Sequence, residues 1–181
     1  MRHFSEVADH GGLPVVLYNV PSRTGCDMLP ATVGRLAQHG GIVGLKEARS
    51  DAERINAVVA LQNPQFSILS GDDATCMGAM LAGADGVISV AANVAPQALR
   101  ALCDAARARD AETARRIDAS LAALYELLGV EPNPIPLKWC LHRLGLGEPD
   151  LRAPLLPLSA AHRERADRIV GMVQARHSDA A

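Results

Sequence analysis

Gly41-Ile42-Val43-Gly44-Leu45-Lys46 is an apolar run of strand length that ends on an amine. Three more runs share its character: Leu13-Pro14-Val15-Val16-Leu17-Tyr18, Phe66-Ser67-Ile68-Leu69-Ser70 and Asp85-Gly86-Val87-Ile88-Ser89-Val90. Each is short and almost continuously apolar, the pattern of parallel strands covered on both faces. Between successive runs there is room for a turn, a helix and a second turn, which is the βα repeat. Pro30 suits the first turn of a helix over 30–38, with Gly40-Gly41 after it. Ser50 or Asp51 suits the cap of a helix that spends Ile55, Val58, Val59 and Leu61 on its buried face. Asp72 or Asp73 suits the start of a third, ended by Gly83. A helix over 1–10 precedes the first strand.

Beyond Pro96 the pattern becomes helical. Stretches 98–108 and 111–128 are rich in Ala, Leu and Arg. Val130-Glu131-Pro132-Asn133-Pro134-Ile135-Pro136 predicts a stiff extended connector, because closely spaced prolines do not continue a helix. Helices over 137–144 and 160–174 follow, and 177–181 is expected to fray. The division expected is 1–95 as part of a barrel and 96–181 as a helical region.

Four βα strands fit either a small open sheet or part of a (β/α)₈ barrel. A nucleotide-binding open sheet carries a Gly-rich turn after its first strand. Here that turn reads Val20-Pro21-Ser22-Arg23-Thr24-Gly25. A closed barrel needs eight strands and roughly 250 residues, so the barrel reading makes these 181 residues the C-terminal half of one, followed by a helical extension.

Composition narrows the function. The chain is 49% hydrophobic, so it can bury a core, and Lys+Arg 18 against Asp+Glu 20 leaves it weakly acidic. With only 2 Phe, 2 Tyr and 1 Trp it lacks the stacking platforms and basic face of a nucleic-acid binder. It has no apolar stretch long enough for a membrane span and no signal-peptide core at its start. Cys26, Cys76, Cys103 and Cys140 have no zinc-motif spacing, and the six histidines show no ligand spacing, so no metal site is expected. These features predict a reduced, cytoplasmic protein. Arginines between 107 and 116 alternate with acids and suggest a solvated helix face.

Strand alternation pairs Val16 with Tyr18, Gly44 with Lys46, and Ile68 with Ser70. In a barrel these point inward, and Tyr18, Lys46 and Ser70 fall at the C-terminal ends, where such folds keep their active sites. A lysine closing an apolar strand pays for desolvating its charge, and burial favours the neutral amine that attacks carbonyls. Position alone favours a lysine that snorkels to water or pairs with Glu47. Tyr18 is a candidate proton relay, or a half-buried tyrosine with its hydroxyl satisfied. Arg23, in the loop after the first strand, has the fork geometry to grip a carboxylate. Gly71 permits close approach of backbone to a ligand, and Gly71-Asp72-Asp73 also serves as a turn.

Tyr18-Asn19-Val20-Pro21-Ser22-Arg23-Thr24-Gly25 resembles the signature of the dihydrodipicolinate synthase family. The resemblance continues through Gly44-Leu45-Lys46-Glu47-Ala48, Leu69-Ser70-Gly71-Asp72-Asp73, Gly86-Val87-Ile88-Ser89-Val90 and the 130–138 segment. It implies a partial class I aldolase-like barrel that lacks the family's N-terminal half. The lysine matching Lys46 would form a Schiff base with pyruvate, and the tyrosine matching Tyr18 would relay protons. The enamine would attack L-aspartate 4-semialdehyde, and cyclisation would give 4-hydroxy-tetrahydrodipicolinate, on the route to diaminopimelate and lysine. Arg23 would bind the semialdehyde carboxylate, with Gly71 and backbone near Ile88 as further substrate contacts. The resemblance implies no cofactor, since the imine is the electron sink, and a homo-oligomer, usually a tetramer. Lys46 and Tyr18 are shared with N-acetylneuraminate lyase and other pyruvate aldolases, so Arg23 carries the choice of aldehyde. A half-barrel that self-associates or pairs with a separate partner is the non-enzymatic alternative.

Overall fold

In the computed structural model, which describes residues 1–178, four strands form one sheet: β1 (Val15–Asn19), β2 (Ile42–Glu47), β3 (Ser67–Ser70) and β4 (Gly86–Val87). Their order is β1-β2-β3-β4, and every neighbouring pair is parallel. Helices separate them: α1 (Arg2–His10) before β1, α2 (Pro21–Thr24) and α3 (Pro30–Leu36) after it, α4 (Ala52–Val59) after β2, and α5 (Cys76–Ala82) after β3. This is the βα repeat and the half-barrel strand count expected from the apolar runs. The fourth run contributes least, since only Gly86 and Val87 pair as a strand.

Two compact units emerge, one of Met1–Ser89 with Ala105–Ala111, the other of Val90–Asp104 with Glu112–Ala181. In the first, one face of the sheet is sealed. Leu17, Leu45 and Ile68 point to it and meet Val33 and Leu36 of α3, Ile55 and Val58 of α4, Ala79 of α5, and Phe66. The opposite face is open: Val16 is 45%, Tyr18 44% and Ile88 44% exposed. The apolar runs had suggested cover on both faces. In a closed barrel the second face is filled by side chains from all eight strands. Four strands in one row cannot supply that filling.

Local chemistry explains the helix ends. Asp51 caps α4 through Arg54 N–H, 3.0 Å from its Oδ1. The Asp72 carboxylate accepts from Thr75 N–H (3.1 Å) and Thr75 Oγ1 (2.6 Å), ordering the turn into α5. The glycine pair at 40–41 does not end α3; Ala37 caps it after Leu36.

The second unit holds a short 3₁₀ turn (Ala91–Asn93), most of α6 (Pro96–Arg107), α7 (Ala111–Leu128), α8 (Ile135–Arg143) and α9 (Ala160–Ser178). Leu102, Leu121, Leu124, Leu127, Cys140, Leu158 and Val170 are buried in it. The 130–136 segment is not an extended connector. Ile135 N–H closes a turn onto Pro132 O (2.9 Å), and α8 starts at once with Pro136 in its first turn. A proline there loses no helical hydrogen bond, so this one starts the helix instead of blocking it. Trp139 Nε1 donates to Asp167 (3.0 Å), and the Arg163 guanidinium lies 4.7 Å from the Trp139 ring, fastening α8 to α9. Of the stretch expected to fray, 177 and 178 are helical and 179–181 lie outside the described residues. Among the described residues no helix is long and apolar enough to cross a membrane.

Candidate active site

The parallel register decides which side chains can meet. β1 and β2 pair Tyr18 with Lys46 and Asn19 with Glu47, and β2 and β3 pair Lys46 with Leu69 and Glu47 with Ser70. Paired residues share a face, and consecutive ones alternate. Tyr18 and Lys46 therefore stand side by side on the open face, at the C-terminal ends of adjacent strands. Lys46 Nζ lies over the Tyr18 ring, 4.3 Å from its centroid, well within cation–π reach.

Lys46 is half-buried, less enclosed than its apolar strand suggested, because the face it occupies is open. What encloses it is local. Gly71 follows β3 and donates its N–H to Glu47 O (2.7 Å). A Cβ on Gly71 would sit 3.1 Å from both Cγ and Cε of Lys46, so the glycine is the wall along which the lysine stem runs. Ile88 N–H donates to Ser70 O (2.9 Å), continuing the sheet past β4 and putting the Ile88 backbone on the same strand-end rim.

Arg23 sits on α2, not in an irregular loop. Pro21 starts that turn, and Gly25 ends it at φ 66, donating its N–H to Pro21 O (2.9 Å). Only glycine adopts that left-handed backbone without strain. Arg23 is exposed. The structure thus sets Lys46 against Tyr18 on one side and Gly71 on the other, puts Ile88 at the same rim, and leaves Arg23 on its own short helix after β1.

Ser70 is a correction. Its register partner is Glu47, so it lies on the sealed face, 2% exposed, with Oγ bonded to Asp72 O (3.1 Å). Leu69 takes the place opposite Lys46. Sequence alternation orders residues within one strand, whereas the alignment of neighbouring strands comes from the ladder.

Sequence reasoning also missed a polar cluster under the sheet. Asn19 and Glu47 are 2% and 1% exposed. Asn19 Nδ2 donates to both Glu47 oxygens (2.9 and 3.1 Å) and to Asp27 Oδ1 (2.9 Å), while Asn19 Oδ1 accepts from Met28 N–H (2.9 Å). Arg49 N–H donates to Glu47 Oε1 (2.8 Å). Arg54, 7% exposed, reaches Asp27 Oδ2 at 2.6 Å and Glu47 Oε2 at 3.5 Å. Burial pushes the Glu47 carboxyl up, against the pull of Arg49 N–H, Asn19 and Arg54. Asp27 is held below the usual carboxylate range by its bond from Asn19, helped by Arg54 and Arg49. Glu47 therefore turns away from Lys46 and does not pair with it. The signal was parity: Asn19 and Glu47 each follow by one residue a side chain destined for the other face.

Among the described residues no group of three His, Cys, Asp or Glu gathers as metal ligands would. The histidines serve other ends; His39, for example, bonds Asp9 (3.0 Å) and accepts Gly41 N–H (3.1 Å).

Known proteins share this chain's sequence pattern and fold. Residues 1–173 match the dihydrodipicolinate synthetase family. The chain is 55% identical over 175 residues to a 4-hydroxy-tetrahydrodipicolinate synthase of Stenotrophomonas maltophilia, covering 97% of this chain and 59% of that protein. To the synthase of the same name from Xanthomonas campestris it is 56% identical over 169 residues, covering 93% and 56%. A dihydrodipicolinate synthase structure from Acinetobacter baumannii, complexed with pyruvate, superposes with a TM-score of 0.91 at 41% identity, over 96% of this chain and 60% of that one. One from Aquifex aeolicus gives 0.91 at 36% identity, over 96% and 59%. The chain thus spans less than two thirds of these relatives' length, and the strands, the Tyr18–Lys46 pair and the helical region all fall within the matched span. With that match along its sequence and its backbone, the chain belongs to the dihydrodipicolinate synthetase family.

Proposed function

We propose that this chain carries the amine-bearing half of a lyase that condenses pyruvate with L-aspartate 4-semialdehyde through a Schiff base. The observation that carries the reading is the Lys46 amine over the Tyr18 ring at adjacent strand ends. The neutral Lys46 amine adds to C2 of pyruvate, and the carbinolamine loses water to leave an imine. Loss of a C3 proton gives the enamine, whose C3 bonds to the aldehyde carbon of the semialdehyde. The aldehyde oxygen takes up a proton and becomes the 4-hydroxyl. The semialdehyde's amino group then attacks the imine carbon and expels Lys46 as the free amine, closing the ring of 4-hydroxy-tetrahydrodipicolinate. One water is lost overall and no redox change occurs, so the sequence needs no cofactor. Tyr18 passes protons at the imine-forming and aldol steps. Gly71 and the Ile88 backbone border the pyruvate, and Arg23 takes the semialdehyde carboxylate as a bidentate fork. On this reading the protein works in the cytoplasm, as a homo-oligomer, in the route to lysine.

Borohydride reduction in the presence of pyruvate tests it. The chain has two lysines, Lys46 and Lys138, so peptide mass mapping assigns the adduct without ambiguity. Adduct on Lys46 alone supports the reading; adduct on neither lysine overturns it and favours a non-catalytic half-barrel. A second reading, cleavage of N-acetylneuraminate by the same imine chemistry, is separated by a substrate panel. Loss of semialdehyde selectivity in Arg23→Ala, with pyruvate trapping intact, supports the assigned aldehyde.

A further inference from the structure

We propose that Asn19 and Glu47 are positioning residues for the Tyr18–Lys46 pair: their bond beneath the sheet sets the strand alignment at which amine and phenol meet above it. This rests on the Schiff-base reading and extends it to residues that never face the substrate.

The two contacts are one register step apart. Tyr18 and Lys46 are Cα partners, and Asn19 and Glu47 are the next pair. Alternation sends the first pair to the open face and the second to the sealed one. A slip or splay that separates Asn19 from Glu47 separates Tyr18 from Lys46 as well.

The clamp has one satisfied orientation. Glu47 accepts from Asn19 Nδ2, Arg49 N–H and Arg54 Nη1, with the like charge of Asp27 nearby. Asn19 gives its amide N–H groups to Glu47 and Asp27 and takes Met28 N–H on its oxygen. Turning that amide over would set its oxygen against two carboxylates and its NH₂ against an N–H. Through Met28 and Arg49 the clamp also fixes the segments that leave β1 and β2. Through the Glu47 carbonyl it holds Gly71, the wall along the Lys46 stem.

Stability alone does not call for this device. Leu17, Leu45 and Ile68 fill the preceding positions of the same face with apolar side chains. A buried ionic cluster is a weak stabiliser compared with well-packed apolar residues of similar volume. What the cluster adds is direction, because hydrogen bonds fix an alignment that apolar packing tolerates loosely.

The test uses the 181-residue chain with Glu47→Gln, which turns N–H groups toward the donors that hold the carboxylate. Val58→Ala, a truncation in the core under α4, is the control for lost stability. Three quantities are read well below each melting temperature: the maximal rate of pyruvate trapping at Lys46, the pyruvate concentration at half-maximal rate, and acetic anhydride labelling of Lys46 relative to Lys138. Glu47→Gln is expected to lower the maximal rate by about tenfold or more, as misplaced reacting groups do. The half-saturating concentration stays unchanged, since Glu47 faces away from the ligand, and Lys46 labelling rises as the lysine leaves its wall. Val58→Ala should lower the melting temperature and move none of the three. Wild-type trapping and labelling in Glu47→Gln, or the same losses in Val58→Ala, overturn the proposal. If Glu47→Gln does not fold, Asn19→Ser removes the cross-strand bond while leaving Arg49 and Arg54 on Glu47, and the same readouts decide. A wild-type chain that traps no pyruvate sinks the Schiff-base reading, and the Lys46 to Lys138 labelling ratio then judges the clamp by itself.

Discussion

Gly71 stands so close to Lys46 that a methyl group added to it would fall 3.1 Å from Cγ and Cε of the lysine and 3.1 Å from the Glu47 carbonyl oxygen. The lysine stem can yield, but the carbonyl belongs to β2 and cannot. Gly71→Ala is therefore expected to cost about 1–3 kcal/mol, the usual range for overpacking, and to swing the amine off the Tyr18 ring. Thermal melts read the first effect and pyruvate trapping the second. Wild-type trapping in Gly71→Ala would show that the stem is not aligned by this wall.

Tyr18 contributes a ring to the contact and a hydroxyl to the chemistry. Tyr18→Phe keeps the ring under Lys46 Nζ and removes the proton carrier. The expected result is a loss of about 10²-fold in the rate of imine formation with almost no change in melting temperature, since Tyr18 is already half-exposed. Rapid trapping at an unchanged rate would remove Tyr18 from the proton path and leave it as a surface for the amine.

The cluster beneath the sheet ties stability to acid. Asp27 is held below the usual carboxylate range, so its contribution is full above the ordinary aspartate value and is lost as pH falls through the lowered one. Glu47 has the opposite sign. Its raised value means the folded state takes up its proton first, so its penalty fades on acidification and grows as pH rises past the ordinary glutamate range. The Asp27 contribution should therefore be lost below about pH 4, lowering the melting temperature there, and that loss should disappear in Asp27→Asn, which starts from a lower value because Arg54 loses its ion pair. An equal drop in both proteins would assign the acid sensitivity elsewhere.

Thiol reactivity offers a check on the packing. Cys26 is exposed, whereas Cys76 and Cys140 are fully buried. Burial, with the charge of Asp167, pushes the Cys140 thiol up to about 11. A maleimide at pH 8 should modify Cys26 in the native chain and reach Cys76 and Cys140 only after denaturation. Native labelling of Cys140 would contradict the packing of α8.

Much of the molecule was legible from residues alone. Apolar runs of strand length placed all four strands, because a parallel strand between covering layers must be apolar nearly throughout. The 111–128 helix kept its stated bounds, and Asp51 kept its cap. Lys46 and Tyr18 stood out as an amine and a phenol ending such strands, but it was the resemblance to a family, not position, that favoured a chemical role for them. That they share a face rests on the β1–β2 register, which pairs Tyr18 with Lys46. Ser70 was misplaced and the Asn19–Glu47 clamp missed for one reason. Periodicity is a property of a single strand, while the partner opposite Lys46 is set by hydrogen bonds between strands, and no local pattern encodes that register. The turn at 130–136 shows the same division. Its prolines did forbid a continuing helix, but whether they stiffen a connector or open a new helix depends on where the chain finds carbonyls for its remaining N–H groups. The residues fixed the list of chemically able groups. Long-range pairing fixed which of them share a face, since contact between groups far apart in the chain exists only once the sheet has formed.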